Sequence, residues 1–66
     1  MHIIVNGKTI SIADNSTLTD LIKHLNLADS KTAVELNLEI VPRSKYESVE
    51  LKEDDRVEIV QAIGGG

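Results

Sequence analysis

Hydrophobic and polar residues alternate along the first twelve positions of the chain. The apolar residues that share one face of this stretch are Met1, Ile3, Val5, Ile10 and Ile12. Asn6-Gly7 interrupts the alternation and strongly favours a two-residue hairpin turn, because both turn positions need a positive φ. The pattern predicts two antiparallel strands over residues 1–5 and 8–12, with Ile4 on the opposite face.

A helical pattern follows the hairpin. Its apolar positions, spaced as on one face of a helix, are Leu18, Leu21, Ile22 and Leu25. Thr17 and Asp20 have the spacing of a capping box, and an acidic residue is favoured near a helix N-terminus. Asn26 can end the helix. The sequence predicts a short helix over residues 18–25.

The second half of the chain reads as short extended segments. The predicted pieces are a strand over 33–36, a turn over 37–39, an extended pair at 40–41, a helical turn over 43–46, a weak edge strand over 48–51 and a final strand over 56–61. Pro42 places the extended pair at a sheet edge or a strand end, because proline cannot donate to a ladder. Tyr46, the only aromatic residue, is expected to cap an edge of the core.

These elements together predict an α+β fold, a mixed sheet of four to five strands packed on one helix. Val57 and Ile59 point inward in the last strand, which is apolar enough to be central. A central last strand beside the first strand would run parallel to it, as in the ubiquitin-like β-grasp arrangement. We expect residues 1–61 to form this single domain and residues 62–66 to form a flexible tail.

Composition narrows the function classes. The 66 residues carry a formal net charge of −4, which disfavours unaided binding to nucleic acid. Without Cys, and with His2 and His24 far apart, the chain predicts no disulfide and no metal site. No catalytic grouping of side chains is evident, so we expect a protein that is not an enzyme. We also expect no membrane span and no signal peptide, and therefore a cytoplasmic protein.

Three consecutive glycines, Gly64, Gly65 and Gly66, follow the last predicted strand closely. Glycine adds no packing surface and is costly to order, so fold stability does not explain the run. A frayed terminus is one interpretation. The other is a tail that threads a narrow slot in a partner, since residues 62–66 reach at most about 17 Å when extended. In that case the reactive group is the terminal carboxylate, which ATP could convert to an acyl adenylate.

Apolar residues near this tail suggest a docking patch. Val60 and Ile63 are expected to point away from the core, and Ile4 shares their sheet face if the first and last strands are neighbours. Glu58 lies on the same face. The alternative is that these are ordinary surface residues.

The chain resembles the ThiS family, the sulfur carriers of bacterial thiamine biosynthesis. The resemblance rests on the β-grasp pattern, the segment Ile40-Val41-Pro42-Arg43 after Asn37, and the pair Gly65-Gly66. It spans all 66 residues, including the Asn-Gly hairpin and the helix start. The Val-Pro-Arg segment and the short length favour the thiamine branch over the longer molybdopterin-type carrier.

The resemblance implies that Gly66 is adenylated and converted to a thiocarboxylate, with Gly65 as its partner in the tail motif and Gly64 giving flexibility. It implies three partners: an adenylating enzyme of the ubiquitin-activating type, which consumes ATP, a cysteine desulfurase or sulfurtransferase, and thiazole synthase. The carrier itself would bind no cofactor and would be monomeric when free. A molybdopterin-type carrier, a ubiquitin-like modifier and a plain β-grasp interaction module remain alternatives.

Overall fold

The computed structural model describes residues 1–27 and 32–61. The strands within this part are β1 (His2–Val5), β2 (Lys8–Ser11), β3 (Thr32–Leu36), β4 (Glu39–Val41) and β5 (Arg56–Gln61), and the α-helix is α1 (Leu18–His24). A short 3₁₀ helix covers Arg43–Lys45, where the sequence predicts a helical turn over 43–46. The five strands form one sheet in the order β2-β1-β5-β3-β4.

The β1–β2 hairpin forms as predicted. Asn6 has a φ of 48° and Gly7 a φ of 83°, so both turn residues adopt the left-handed conformation that this turn needs. The antiparallel register pairs Ile3 with Ile10 and Val5 with Lys8. Ile3 and Val5 are buried, and Ile10 packs against the same core.

Helix α1 begins and ends at side-chain signals that are visible in the sequence. Thr17 Oγ1 accepts a hydrogen bond from the Asp20 amide at 3.2 Å, and the Asp20 carboxylate accepts one from the Thr17 amide at 2.9 Å. The Thr17 amide lowers the pKa of Asp20 below its usual value of 3.8, because its hydrogen bond favours the ionised form. At the other end Asn26 takes a φ of 59°, while the Leu27 amide donates to the Ile22 carbonyl. This is a Schellman ending, so the predicted capping box and stop are both confirmed.

The position of the last strand decides the fold. β5 lies between β1 and β3, parallel to β1 and antiparallel to β3. One face of the sheet packs on α1, and the buried hydrophobic residues that form the core are Ile3, Val5, Leu18, Leu21, Ile22, Val34, Tyr46, Leu51, Val57 and Ile59. The predicted mixed sheet with a central last strand, the β-grasp arrangement, is confirmed.

Two predictions for the region between β4 and β5 are corrected. The edge strand expected over residues 48–51 is wrong, because this segment pairs with the chain before α1 instead of extending the sheet. The Leu51 amide donates to the Ser16 carbonyl at 2.8 Å, and the Leu18 amide donates to the Val49 carbonyl at 3.1 Å. Tyr46 is part of the buried core and not a cap at its edge, and its hydroxyl lies 3.5 Å from the Thr32 carbonyl oxygen.

Candidate functional site

The central strand β5 leads directly to the glycine run. Val57 and Ile59 anchor the strand in the core, and Gln61, its last residue, pairs with Thr32 of β3. The sequence-predicted residues Ile63, Gly64, Gly65 and Gly66 lie outside the described residues. The structure therefore defines the rigid element from which the tail starts, up to Gln61.

The side chain of Asn6 fastens β5 on the side of β1. Its Oδ1 accepts a hydrogen bond from the Ile59 amide at 2.7 Å, and its Nδ2 donates to the Ile59 carbonyl at 3.1 Å. Its own amide donates to the Val57 carbonyl at 2.9 Å. The Asn6 side chain thus continues the pairing past the point where β1 turns away into the hairpin. As a result, β5 is bonded on both sides as far as Ile59, and within the described residues Val60 and Gln61 are paired with β3 alone.

Asn37 in the β3–β4 turn fastens the start of the same strand. Its Oδ1 accepts a hydrogen bond from the Arg56 amide at 3.0 Å, and its Nδ2 donates to the Asp55 carboxylate at 3.1 Å. Asn37 and the next residue, Leu38, have φ values of 50° and 73°, so this turn has the same left-handed pair as the first hairpin. An asparagine from a hairpin turn therefore holds the start of β5, and a second one holds Ile59, two residues before the end of the strand.

The face of the sheet away from α1, called the outer face below, carries the other predicted site residues. Val60 and Glu58 lie on it and are exposed, and Ile4 lies on it half-buried. β1 and β5 are neighbours, which is the condition for the predicted docking patch. In their parallel register, however, Ile4 pairs with Arg56. Val60 is four residue steps beyond Arg56, which is about 13 Å along β5. The structure thus places Ile4 and Val60 on one face without bringing them together.

Val60 has different neighbours on this face. It pairs with Ala33 of β3 and lines a hollow of about 130 Å³. The residues that line this outer hollow are Ala33, Val34, Glu35, Ile40, Glu58 and Val60. Sequence reasoning missed Ile40 and Ala33 as site residues. A signal for Ile40 was present, because Ile40 and Val41 are consecutive apolar residues in a strand and must point to opposite faces.

Two observations limit other kinds of site in the described part of the chain. No group of three or more His, Cys, Asp or Glu side chains in residues 1–27 and 32–61 is placed to hold a metal ion. The helices in those ranges are too short and too polar to cross a bilayer.

Comparison with known proteins points to one family. Residues 3–66 match the ThiS family, so the matched range includes the whole glycine run. The sulfur carrier protein ThiS of Bacillus subtilis is 38% identical over 63 residues, which is 94% of this chain and 96% of that protein. The crystal structure of a ThiS thiamine biosynthesis protein from Geobacter metallireducens superposes with a TM-score of 0.84 at 33% identity, covering 100% of both chains.

A longer relative is also similar. A protein of Paramagnetospirillum magneticum named thiazole synthase is 41% identical over 66 residues, which is 100% of this chain. The chain spans only 20% of the length of that relative.

Proposed function

The chain belongs to the ThiS family, and we propose that it acts in thiamine biosynthesis as a sulfur carrier whose reactive group is the C-terminal carboxylate of Gly66. The observation that carries this proposal is the family match through residue 66, which includes the three glycines next to a rigid central strand. In this role the protein is a co-substrate of other enzymes and not an enzyme itself.

The proposed chemistry takes place at the end of the tail. An adenylating enzyme of the ubiquitin-activating type transfers AMP from ATP to the carboxylate of Gly66 and releases pyrophosphate. A persulfide on a cysteine desulfurase or sulfurtransferase then displaces AMP, and a thiol cleaves the resulting acyl disulfide to leave a thiocarboxylate and a protein disulfide. The chain has no Cys, so its activated terminus cannot react with an internal thiol. The carrier binds no cofactor in this scheme, because the activating partner holds the ATP.

The glycines suit this task for a steric reason. A tail without Cβ atoms at residues 64–66 can enter a slot that excludes larger side chains. The rigid hold on β5 supports the same task, since a fixed starting point at Gln61 limits where the carboxylate can go. We propose that the folded domain docks on its partner enzymes through the outer face, with Val60, Glu58 and Ile4. Ile63 of the tail adds to this contact.

Thiazole synthase is the proposed acceptor of the sulfur. A relative with that name contains a segment that matches this entire chain, which supports this choice of partner. We propose that this chain delivers its sulfur to a thiazole synthase, and that it does so in the cytoplasm as a monomer.

Intact-mass spectrometry of the protein purified from its native host tests the function. We expect a population in which one sulfur replaces one oxygen, with the change located at Gly66 by fragmentation. In a reconstituted reaction with the adenylating enzyme, ATP and a persulfide donor, deletion of Gly65 and Gly66 should abolish the mass gain. The control variant Gln61→Ala changes an exposed residue of β5 but keeps the glycines, and it should load sulfur normally.

Two outcomes contradict the proposal. A native protein that continues past Gly66 without processing there has no carboxylate to load. Isopeptide-linked adducts on lysines of other proteins, with no sulfur gain, would instead identify a ubiquitin-like modifier.

A further inference from the structure

Exposed hydrophobic residues are concentrated on one part of the molecule. Within residues 1–27 and 32–61, the large hydrophobic side chains that remain exposed are Leu38, Ile40 and Val60, with 88%, 80% and 65% of their surface accessible. Ile40 and Val60 both line the outer hollow, on the strands that flank β3, and Leu38 is two residues before Ile40 but does not line the hollow. Single exposed apolar residues are normal, but a cluster around a hollow is typical of a surface that contacts another molecule.

Two carboxylates of the outer hollow are cross-strand neighbours on the same face of the sheet. Glu35 of β3 and Glu58 of β5 are directly opposite in the antiparallel register. Within the described residues, neither carboxylate accepts a hydrogen bond or forms an ion pair. Like charges directly opposite on neighbouring strands destabilise a sheet. The isolated protein thus keeps an unfavourable pair of charges that a cation from outside could neutralise.

We propose that the outer hollow recognises a partner protein by a combination of one aliphatic side chain and one basic side chain. The aliphatic side chain fills the hollow between Ile40 and Val60, and an Arg or Lys lies between Glu35 and Glu58. A cavity of about 150 Å³ holds a benzene molecule, so the 130 Å³ hollow has room for one side chain of this kind. The inference rests on the proposed function, for which it specifies the chemistry of the partner surface.

Charge argues for this occupant over a second copy of the chain. Two copies placed face to face would bring two Glu35–Glu58 pairs together, which raises the repulsion. The formal net charge of −4 adds to this repulsion over longer distances. A partner with a basic rim around an apolar centre gains from both features of the hollow.

The test uses a variant whose stability and binding should change in opposite directions. Glu58→Lys converts the like-charge pair with Glu35 into an opposite-charge pair, so the melting temperature of the isolated protein should rise. The same change places a positive charge against the basic side chain of the partner. We expect binding to weaken by about tenfold or more, measured by calorimetry against the adenylating enzyme and the thiazole synthase of the same organism. A loss of folding cannot explain that combination.

Glu47→Lys is the matched control. Glu47 is exposed, and its replacement by Lys changes the net charge by the same amount as Glu58→Lys. It lines a different hollow, together with Thr19 of α1. We expect its binding to fall by much less than that of Glu58→Lys. Ile40→Ala tests the apolar half of the hollow and should also weaken binding, although most of its side chain is exposed in the free protein.

The outcomes separate the inference from the proposed function. Normal binding and normal sulfur loading by Glu58→Lys and Ile40→Ala would overturn the inference alone. An equal loss in Glu47→Lys would also overturn it, since net charge would then explain the effect. Self-association that Glu58→Lys alters, measured by sedimentation, would place a second copy on the hollow instead. If the unmodified protein gains no sulfur and binds neither enzyme, both the inference and the function fail.

Discussion

The side chain of Asn6 offers a direct test of how β5 is held. Asn6→Gly keeps a residue that tolerates a φ of 48° but removes both hydrogen bonds to the backbone of Ile59. Asn6→Asp keeps an acceptor for the Ile59 amide and loses the donor to the Ile59 carbonyl. Asn6→Gly therefore removes two hydrogen bonds between this turn and β5, and Asn6→Asp removes one.

The expected loss follows from the environment of Ile59. Each hydrogen bond stabilises a protein by about 0.5–1.5 kcal/mol, and a buried amide left without a partner costs about 1–3 kcal/mol. Both bonds are partly buried, so we expect Asn6→Gly to lower the free energy of unfolding by about 1–3 kcal/mol. In a domain of this size, 1 kcal/mol corresponds to about 4–8 °C, so 2 kcal/mol lowers the melting temperature by about 8–16 °C. Asn6→Asp should lose about half as much.

Two measurements check this prediction. Circular dichroism during urea and thermal unfolding gives the stability, which suits a chain with one Tyr and no Trp. Amide hydrogen exchange reports the bond itself, because the Ile59 amide should lose protection in Asn6→Gly.

Asn15→Gly supplies the control for the glycine effect. Asn15 also has a positive φ, of 65°, but its side chain makes no hydrogen bond within the described part of the chain. Its replacement should change stability little. If Asn6→Gly costs no more than Asn15→Gly, the two bonds to Ile59 do not stabilise β5 and the reasoning is refuted.

Three further predictions concern single positions. Leu38→Gly should raise the melting temperature, because a leucine at a φ of 73° is strained by about 1–2 kcal/mol and its side chain is largely exposed; thermal unfolding checks this, and a fall would contradict it. The stabilisation by ionised Asp20 should be present above pH 3.8 and disappear as the pH falls through its lowered pKa. The stability difference between the unmodified protein and Asp20→Asn, from urea titrations at several pH values, should therefore shrink in acid; a constant difference would exclude this role. Gly66→Ala should leave the melting temperature unchanged while sharply reducing adenylation in a pyrophosphate-release assay, and a large fall in melting temperature would make the tail structural.

Local signals in the sequence predicted the parts of the fold that depend on near neighbours. Asn6-Gly7 predicts its own turn, because the requirement for a positive φ lies within two residues. Thr17 and Asp20 predict the helix start for the same reason, since the bonds of a capping box join residues three positions apart. The glycine run was visible as a candidate site because its informative feature is the absence of side chains.

Features that depend on distant pairing could not be predicted in this way. The segment over 48–51 has the composition of a strand, but composition does not tell which backbone it pairs with. Asn6 and Ile59 are 53 positions apart, and their contact requires β1 and β5 to be neighbours in a particular register. Ile40 and Val60 line the same hollow only because of two registers, that of β4 with β3 and that of β3 with β5. Such registers are set by the packed sheet and not by local preference.

The geometry of β5 connects the two parts of the proposed site. Its inward residues, Val57 and Ile59, fix the strand in the core. Glu58 and Val60 point outward in the last part of the strand before the tail. A partner bound on the outer hollow therefore lies beside Gln61, the point from which residues 62–66 extend. Those five residues reach at most about 17 Å, so the atom that reacts with Gly66 must lie within that distance of Gln61 in any productive complex. Because Asn37 holds the start of β5 and Asn6 holds Ile59, two residues before Gln61, docking of the folded domain and delivery of the tail become a single geometric requirement on the partner.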